Sequence, residues 1–230
     1  MALITLNFNL ISTIININMN TNWNPEMMKA FEMVIKIDPI FKKVFDQIGL
    51  PPNRTMKQGF QSLARIIIGQ QISTNVANTI YKKLITDDIL NENKIHSLSI
   101  DKLKQYGLSS QKSYYLKNLA ELIKKKDLNL RTLNKLSSEE ISNSLIRVKG
   151  VGKWTINNYK IFALQDINAW PAADLALQEA IKIISKIKLR PTEIEMEKIG
   201  NKWLPYRTAA ALFLWHFYNK IKIYKLNIKI

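Results

Sequence analysis

The sequence predicts an all-α protein of roughly ten helices. Three observations lead there. Helix-start signals recur along the chain, apolar residues repeat at three- and four-residue spacing behind them, and strand-like alternation is confined to the two ends. At 230 residues the chain can bury a sizeable core, and it is too long for one simple bundle.

The elements can be justified in order. Residues 6–10 and 15–20 alternate apolar residues with Asn, and 221–230 alternates them with Lys, which suggests short terminal strands. Asn24-Pro25-Glu26 and Asp38-Pro39 each place a capping side chain before a Pro at the first helical position. Gly49 and Pro51-Pro52 end the second of these helices. Leu63, Ile66 and Ile67 share a face over 60–69, and Val76, Ala77, Ile80 and Leu84 share one over 74–85. Leu116, Leu119, Ala120 and Ile123 form a stripe over 111–125. Ser137 with Glu140, and Thr192 with Glu195, are capping boxes. Residues 207–218 are apolar nearly all round, as in a central buried helix. Trp23 and Trp203 are assigned to the core.

Composition bounds the chemistry. The absence of Cys excludes disulfide scaffolds, Cys zinc sites, thiol nucleophiles and Cys-ligated iron–sulfur clusters, and two His argue against a metallo-hydrolase. The net charge of +16 points to a polyanion, nucleic acid first, or else to a lysine-rich composition bias. The first 25 residues carry no charged side chain and are apolar in patches, yet Asn7, Asn9, Asn16, Asn18 and Asn20 break any run long enough to span a membrane. No basic signal or Arg-rich transit pattern is present, so a cytoplasmic protein is expected, nucleoid-associated in a prokaryote. Met19 is a second candidate for the first residue.

The most informative segment is Lys149-Gly150-Val151-Gly152-Lys153, between an amphipathic helix and one beginning at Trp154. Two of only seven glycines lie here, two positions apart, so the backbone can turn tightly and approach another backbone. Such a turn presents helix-start N–H groups to a phosphate, with Lys149 and Lys153 on the rim and Val151 plugged inward. This is the pattern of a helix-hairpin-helix, which grips the DNA backbone without reading bases. Asp174 follows Gly152 by 22 residues, in Asn168-Ala169-Trp170-Pro171-Ala172-Ala173-Asp174.

Hairpin, helix, Pro-containing loop and Asp in that order resemble the helix-hairpin-helix DNA glycosylase superfamily. Gly69-Gln70-Gln71-Ile72-Ser73, Val148-Lys149-Gly150-Val151-Gly152-Lys153-Trp154-Thr155, Pro171-Ala172-Ala173-Asp174-Leu175-Ala176-Leu177 and Trp203-Leu204-Pro205-Tyr206-Arg207-Thr208-Ala209-Ala210, with Trp215 beyond, are similar to motifs of its 3-methyladenine-DNA glycosylase II branch. The resemblance covers about residues 24–218. It departs from the family in two places. The chain before Gln58 is too short for the added sheet domain of the best-known bacterial form, and the loop has Pro171 but no Gly.

The resemblance implies a two-lobed helical fold with the active-site cleft between the lobes. Residues 1–23 would be an extension, 60–170 one lobe, and 24–59 with 171–230 the other. It implies a monofunctional glycosylase that flips alkylated purines such as 3-methyladenine out of double-stranded DNA and hydrolyses the N-glycosidic bond. Asp174 would be the catalytic carboxylate against a developing oxocarbenium ion. Trp154, Trp215, Tyr206 and Trp170 would offer ring faces to a cationic base. Gln71 would fill the gap left in the stack, with Gln70 near the pocket or the opposite strand; both could instead tie the turn. Lys149, Gly150, Val151, Gly152, Lys153 and Lys112 would hold the backbone. Arg207 is open between a structural ion pair and DNA.

Bifunctional relatives carry a Schiff-base Lys where this chain has Trp154, and a ring cannot form an imine. An intact abasic site is therefore the expected product. No cofactor or catalytic metal is expected, only a monovalent cation on hairpin carbonyls near Val148 and Gly150. A monomer is expected. Two alternatives remain: a non-enzymatic helix-hairpin-helix module, and a glycosylase for deaminated or other modified bases.

Overall fold

The computed structural model describes residues 22–222 together with Lys225 and Ile228. Among the described residues there are twelve α-helices and no strands. The alternating patterns at 6–10 and 15–20 lie outside the described residues. Of 221–230, Ile221 and Lys222 continue the last helix, and most of the remainder also lies outside.

The chain divides into two compact units: Thr55–Leu164, and a discontinuous one made from the residues up to Arg54 and from Gln165 onward. These limits differ by about six residues from those read from the sequence, for a local reason. Ahead of residue 60, the Met56 N–H donates to the Phe162 carbonyl (2.7 Å) and the Gly59 N–H to the Tyr159 hydroxyl (2.9 Å), which ties 55–59 to the continuous unit. Residues 166–169 are bonded instead to the start of the last helix, in the other unit.

The discontinuous unit contains α1 (Pro25–Ile37), α2 (Pro39–Ile48), α10 (Leu175–Ile184), α11 (Glu193–Gly200) and α12 (Arg207–Lys222). Asn24 and Asp38 cap α1 and α2 directly before their prolines, and Gly49, at φ 70°, ends α2. Thr192 and Glu195 form the expected capping box of α11. A run of ring contacts joins the two stretches of sequence: Trp23 on Phe31 (5.5 Å between centroids), Phe31 on Phe213 (5.2 Å), Phe213 near Phe41 (5.5 Å), Phe41 on Trp203 (5.3 Å) and Trp203 on Trp170 (5.4 Å). Such edge-to-face pairs add about 0.5–1.5 kcal/mol each beyond the area they bury. Helix α12 buries Ala209 to Leu214 in succession, the all-round apolar pattern of a central helix.

The continuous unit contains α3 (Phe60–Gly69), α4 (Thr74–Thr86), α5 (Glu92–Ser97), α6 (Ile100–Lys104), α7 (Ser110–Lys124), α8 (Ser138–Leu145) and α9 (Lys153–Phe162). Its core gathers most of the apolar positions read from the sequence, among them Leu63, Ile67, Leu84, Leu116, Leu119 and Leu145, whereas Val76, read on the buried face of α4, is exposed. Ser caps start α4, α6, α7 and α8, the last as the full Ser137–Glu140 box. No helix among the described residues is long and apolar enough to cross a membrane.

Candidate active site

The hairpin lies between α8 and α9. Val151 is buried while Lys149, Gly150, Gly152 and Lys153 are exposed. Gly150 is fixed twice over: its φ is +75°, and a Cβ there would meet the Tyr115 ring at 2.1 Å. The Lys149 N–H donates to Asn118 Oδ1 (2.8 Å). Helix α9 starts at Lys153 with Gly152 at its cap and no capping side chain, which leaves its first turn suited to an anion. Behind the turn, the buried Lys160 ammonium donates to the Ser138 carbonyl (2.7 Å) and to the Ser138 and Ser142 hydroxyls (2.8 Å each). It pins the two hairpin helices together, a role that nothing local in the sequence announced.

The turn after α3 is bonded to this hairpin. Gln70 Nε2 donates to the Gly150 carbonyl and to Thr155 Oγ1, each at 2.9 Å. Gln70 is thus a brace between its turn and the hairpin, a role that neither the turn-tying nor the pocket reading anticipated. Gln71 beside it is exposed, with φ +56°, a left-handed conformation that costs a non-glycine residue energy and clusters at functional positions. Lys112 also departs from expectation. Its ammonium donates to the Ile68 carbonyl at the end of α3 (2.7 Å), and burial lowers its pKa. It caps a helix where a phosphate contact was expected. The two carbonyls considered for a monovalent cation are also engaged, Val148 by the Val151 N–H (3.1 Å) and Gly150 by Gln70.

Trp154, the second residue of α9, is half-buried, with part of its surface on the core of the continuous unit.

In the discontinuous unit, Asp174 is buried at the N-cap of α10. Its Oδ1 accepts from the Leu177 N–H (2.9 Å) and from Trp215 Nε1–H (3.0 Å). The cap fixes the side-chain rotamer, and the indole, half-buried on α12, supports the same oxygen. The loop ahead of Asp174 is held from several sides. The Asp174 N–H donates to the Pro171 carbonyl (2.8 Å) and Gln178 Nε2 to the Ala172 carbonyl (3.0 Å). From the start of α12, Thr208 Oγ1–H bonds the Asp166 (2.7 Å) and Ala169 (3.0 Å) carbonyls. Arg207 Nε bonds Asn168 through its carbonyl (3.1 Å) and Oδ1 (2.9 Å), and the guanidinium lies 3.7 Å from Glu197. Of its two alternatives, Arg207 takes the structural one and holds the loop. Gln178 and Thr208 escape a sequence reading because their partners are backbone carbonyls that no motif reveals.

Tyr206 is half-buried at the start of α12. Trp170 does not face a pocket: it is 2% exposed, its ring packs on Trp203, and its Nε1–H donates to the Met196 carbonyl (2.9 Å). Gly200 makes room for it, since a Cβ there would lie 2.8 Å from Trp170 Nε1. Trp170 is a core residue, as are Trp23 and Trp203.

The family model described as HhH-GPD superfamily base excision DNA repair protein matches residues 64–206, which takes in the hairpin, the loop and Asp174. The chain belongs to the HhH-GPD superfamily. Among relatives, the "Alkylbase DNA glycosidase-like protein mag2" of Schizosaccharomyces pombe is 32% identical over 162 residues, covering 68% of this chain and 76% of the relative. The same organism's "DNA-3-methyladenine glycosylase 1" is 29% identical over 191 residues, covering 78% and 82%. Among solved structures, the S. pombe 3-methyladenine DNA glycosylase Mag1 in complex with abasic DNA superposes with a TM-score of 0.73 at 25% identity, over 88% of this chain and 99% of that one. The structure of MBOgg1 in complex with a low-affinity DNA ligand is similar in fold, with a TM-score of 0.74 at 15% identity over 84% of this chain and 70% of that one.

Proposed function

We propose that this HhH-GPD protein is a monofunctional DNA glycosylase of base excision repair that removes alkylated purines, 3-methyladenine among them. The observation that carries this is a buried carboxylate, Asp174, locked by a helix cap and an indole N–H within the family's catalytic-loop pattern. The relatives named for 3-methyladenine support the substrate class.

In this reading the α8–α9 hairpin holds phosphate through helix-start N–H groups, Lys149 and Lys153. Gln71 fills the stack when the damaged nucleotide turns out. The bond between the sugar C1′ and the base nitrogen breaks, and its electron pair leaves with the base and neutralises the alkylated ring. The sugar takes on oxocarbenium character, which the Asp174 carboxylate stabilises. Water adds its oxygen to C1′ and releases a proton to solvent, leaving an abasic sugar and a neutral base. A purine already cationic needs little help from a general acid, in keeping with a site proposed to rest on one carboxylate and the faces of Trp215 and Tyr206. With Trp154 where an imine-forming Lys would stand, the strand stays intact.

The test is incubation with N-methylated duplex DNA, with the released bases identified by chromatography and the strand examined before and after alkali. Release of 3-methyladenine, with breaks only after alkali, supports the reading. Binding without base release would favour a non-enzymatic DNA-binding module, and release of deaminated bases alone would change the substrate. A borohydride-trapped adduct would overturn the monofunctional assignment.

A further inference from the structure

The continuous unit carries an open groove of about 910 Å³ that has no place in the chemistry above. It lies around the start of α3. The brace and the strained turn lie at the other end of that ten-residue helix, about 15 Å away at 1.5 Å per residue. Lys57, Arg65, Lys126 and Arg131 line the groove, with Glu92 the one carboxylate among its lining residues. None of the four cations is in an ion pair among the described residues. Arg65 is held by neutral groups, 4.8 Å above the Tyr81 ring and 3.3 Å from Asn78 Oδ1. Met56, Tyr81 and Ile123, each only partly buried, add apolar lining over the core residues Phe60, Leu90 and Leu128.

We propose that this groove docks an acidic, partly apolar peptide segment of a partner protein. Charge decides against the nearer occupants. Residues 1–21 contain no acidic side chain, residues 223–230 contain only Lys as charged residues, and a second copy brings a net charge of +16. The size exceeds what a single phosphate fills. A nucleic acid backbone would find no use for the apolar lining, and the hairpin and strained turn sit at the far end of α3. An extended segment with Asp or Glu set among Leu and Phe meets both the cations and the apolar surface.

The test measures fluorescence anisotropy of a labelled peptide carrying alternating Glu and Leu or Phe residues, on the full chain. The triple variant Lys57→Glu, Lys126→Glu, Arg131→Glu should weaken binding at least about tenfold, the effect of ~1.4 kcal/mol. Because the whole chain is basic, a control variant makes the same charge change on exposed lysines elsewhere on the unit: Lys82→Glu, Lys83→Glu, Lys135→Glu. The control should keep most of the peptide affinity, and duplex DNA binding and base release should be the same in the groove variant as in the control, which carries the same net charge. Equal losses in both variants would reduce the effect to diffuse charge and overturn the proposal. So would an all-Glu peptide binding as tightly as the amphipathic one. Displacement of the peptide by short duplex DNA, with a larger loss of DNA affinity in the groove variant than in the control, would assign the groove to nucleic acid instead. Base release is read separately, so failure here leaves the glycosylase reading standing, and failure of that reading leaves the groove standing.

Discussion

Trp215 Nε1–H donates to Asp174 Oδ1 at 3.0 Å, the same oxygen that accepts the Leu177 N–H and caps α10. Asp174→Asn keeps an oxygen for both donors and removes the charge. Base release should fall ~10³-fold or more, at ~1.4 kcal/mol per decade, while DNA affinity and thermal stability stay near wild type. Trp215→Phe keeps a ring and removes the donor, and a loss of about tenfold is expected for one charge-assisted hydrogen bond. Single-turnover rates measured beside binding isotherms check both. Full activity in Asp174→Asn would remove the proposed catalyst.

Gln70 joins the strained turn to the hairpin. Gln70→Ala should leave the fold intact and loosen the link between the turn and the hairpin, and with it the proposed coupling of backbone grip to stack filling. Base flipping, followed by 2-aminopurine fluorescence beside the lesion, should drop about tenfold, the scale of one or two hydrogen bonds. Affinity for undamaged duplex should change little. If flipping is unaffected, the brace has no part in the reaction.

Lys149 and Lys153 flank the uncapped start of α9. Replacing both with Ala should weaken binding to all sequences alike. It should also flatten the plot of log affinity against log salt, by up to about 0.9 for each phosphate that is no longer neutralised. Titrations across a series of salt concentrations read that slope. An unchanged slope would place the phosphate-binding groups elsewhere.

Burial of His216, whose Nε2–H donates to the Ile48 carbonyl at 3.0 Å, lowers its pKa, and Lys220 and Arg54 add to the shift. The unfolded chain takes up this proton near its ordinary value of about 6.5, whereas the folded chain takes it up only at lower pH. The stability linked to His216 is therefore present above that ordinary value and is lost as pH falls toward and through the folded one. Thermal melts at about pH 7.5 and about pH 5.5 should differ less for His216→Gln, which keeps a neutral donor, than for wild type. Equal differences in the two proteins would exclude His216 as a source of acid sensitivity.

Helix starts are legible in the sequence because a cap is a local device: Asn24, Asp38, Ser137 and Thr192 bond to backbone N–H groups two or three residues ahead. The hairpin is legible for the same reason, since the conformation of Gly150 and the inward turn of Val151 are built from adjacent residues. The roles of Trp170, Lys112 and Gln70 are not legible, because their partners are remote in sequence. The Met196 carbonyl lies 26 positions from Trp170, Ile68 lies 44 from Lys112, and Gly150 lies 80 from Gln70. An aromatic beside Pro171 looks the same in sequence whether it faces a ligand or a tryptophan. Only the bare Gly200 beneath it hints at close packing.

The division of the chain also sets an order of events during synthesis. Residues 55–164 have their core partners as soon as Leu164 has emerged from the ribosome, so this middle stretch can condense first. Phe31 and Phe41 are made earlier, yet their ring partners Phe213 and Trp203 are made only after that middle stretch. The apolar faces of α1 and α2 therefore stay exposed until Trp203 and Phe213 have been made. A nascent chain stalled between Leu164 and Trp203 would present them to chaperones and proteases beside an already folded middle.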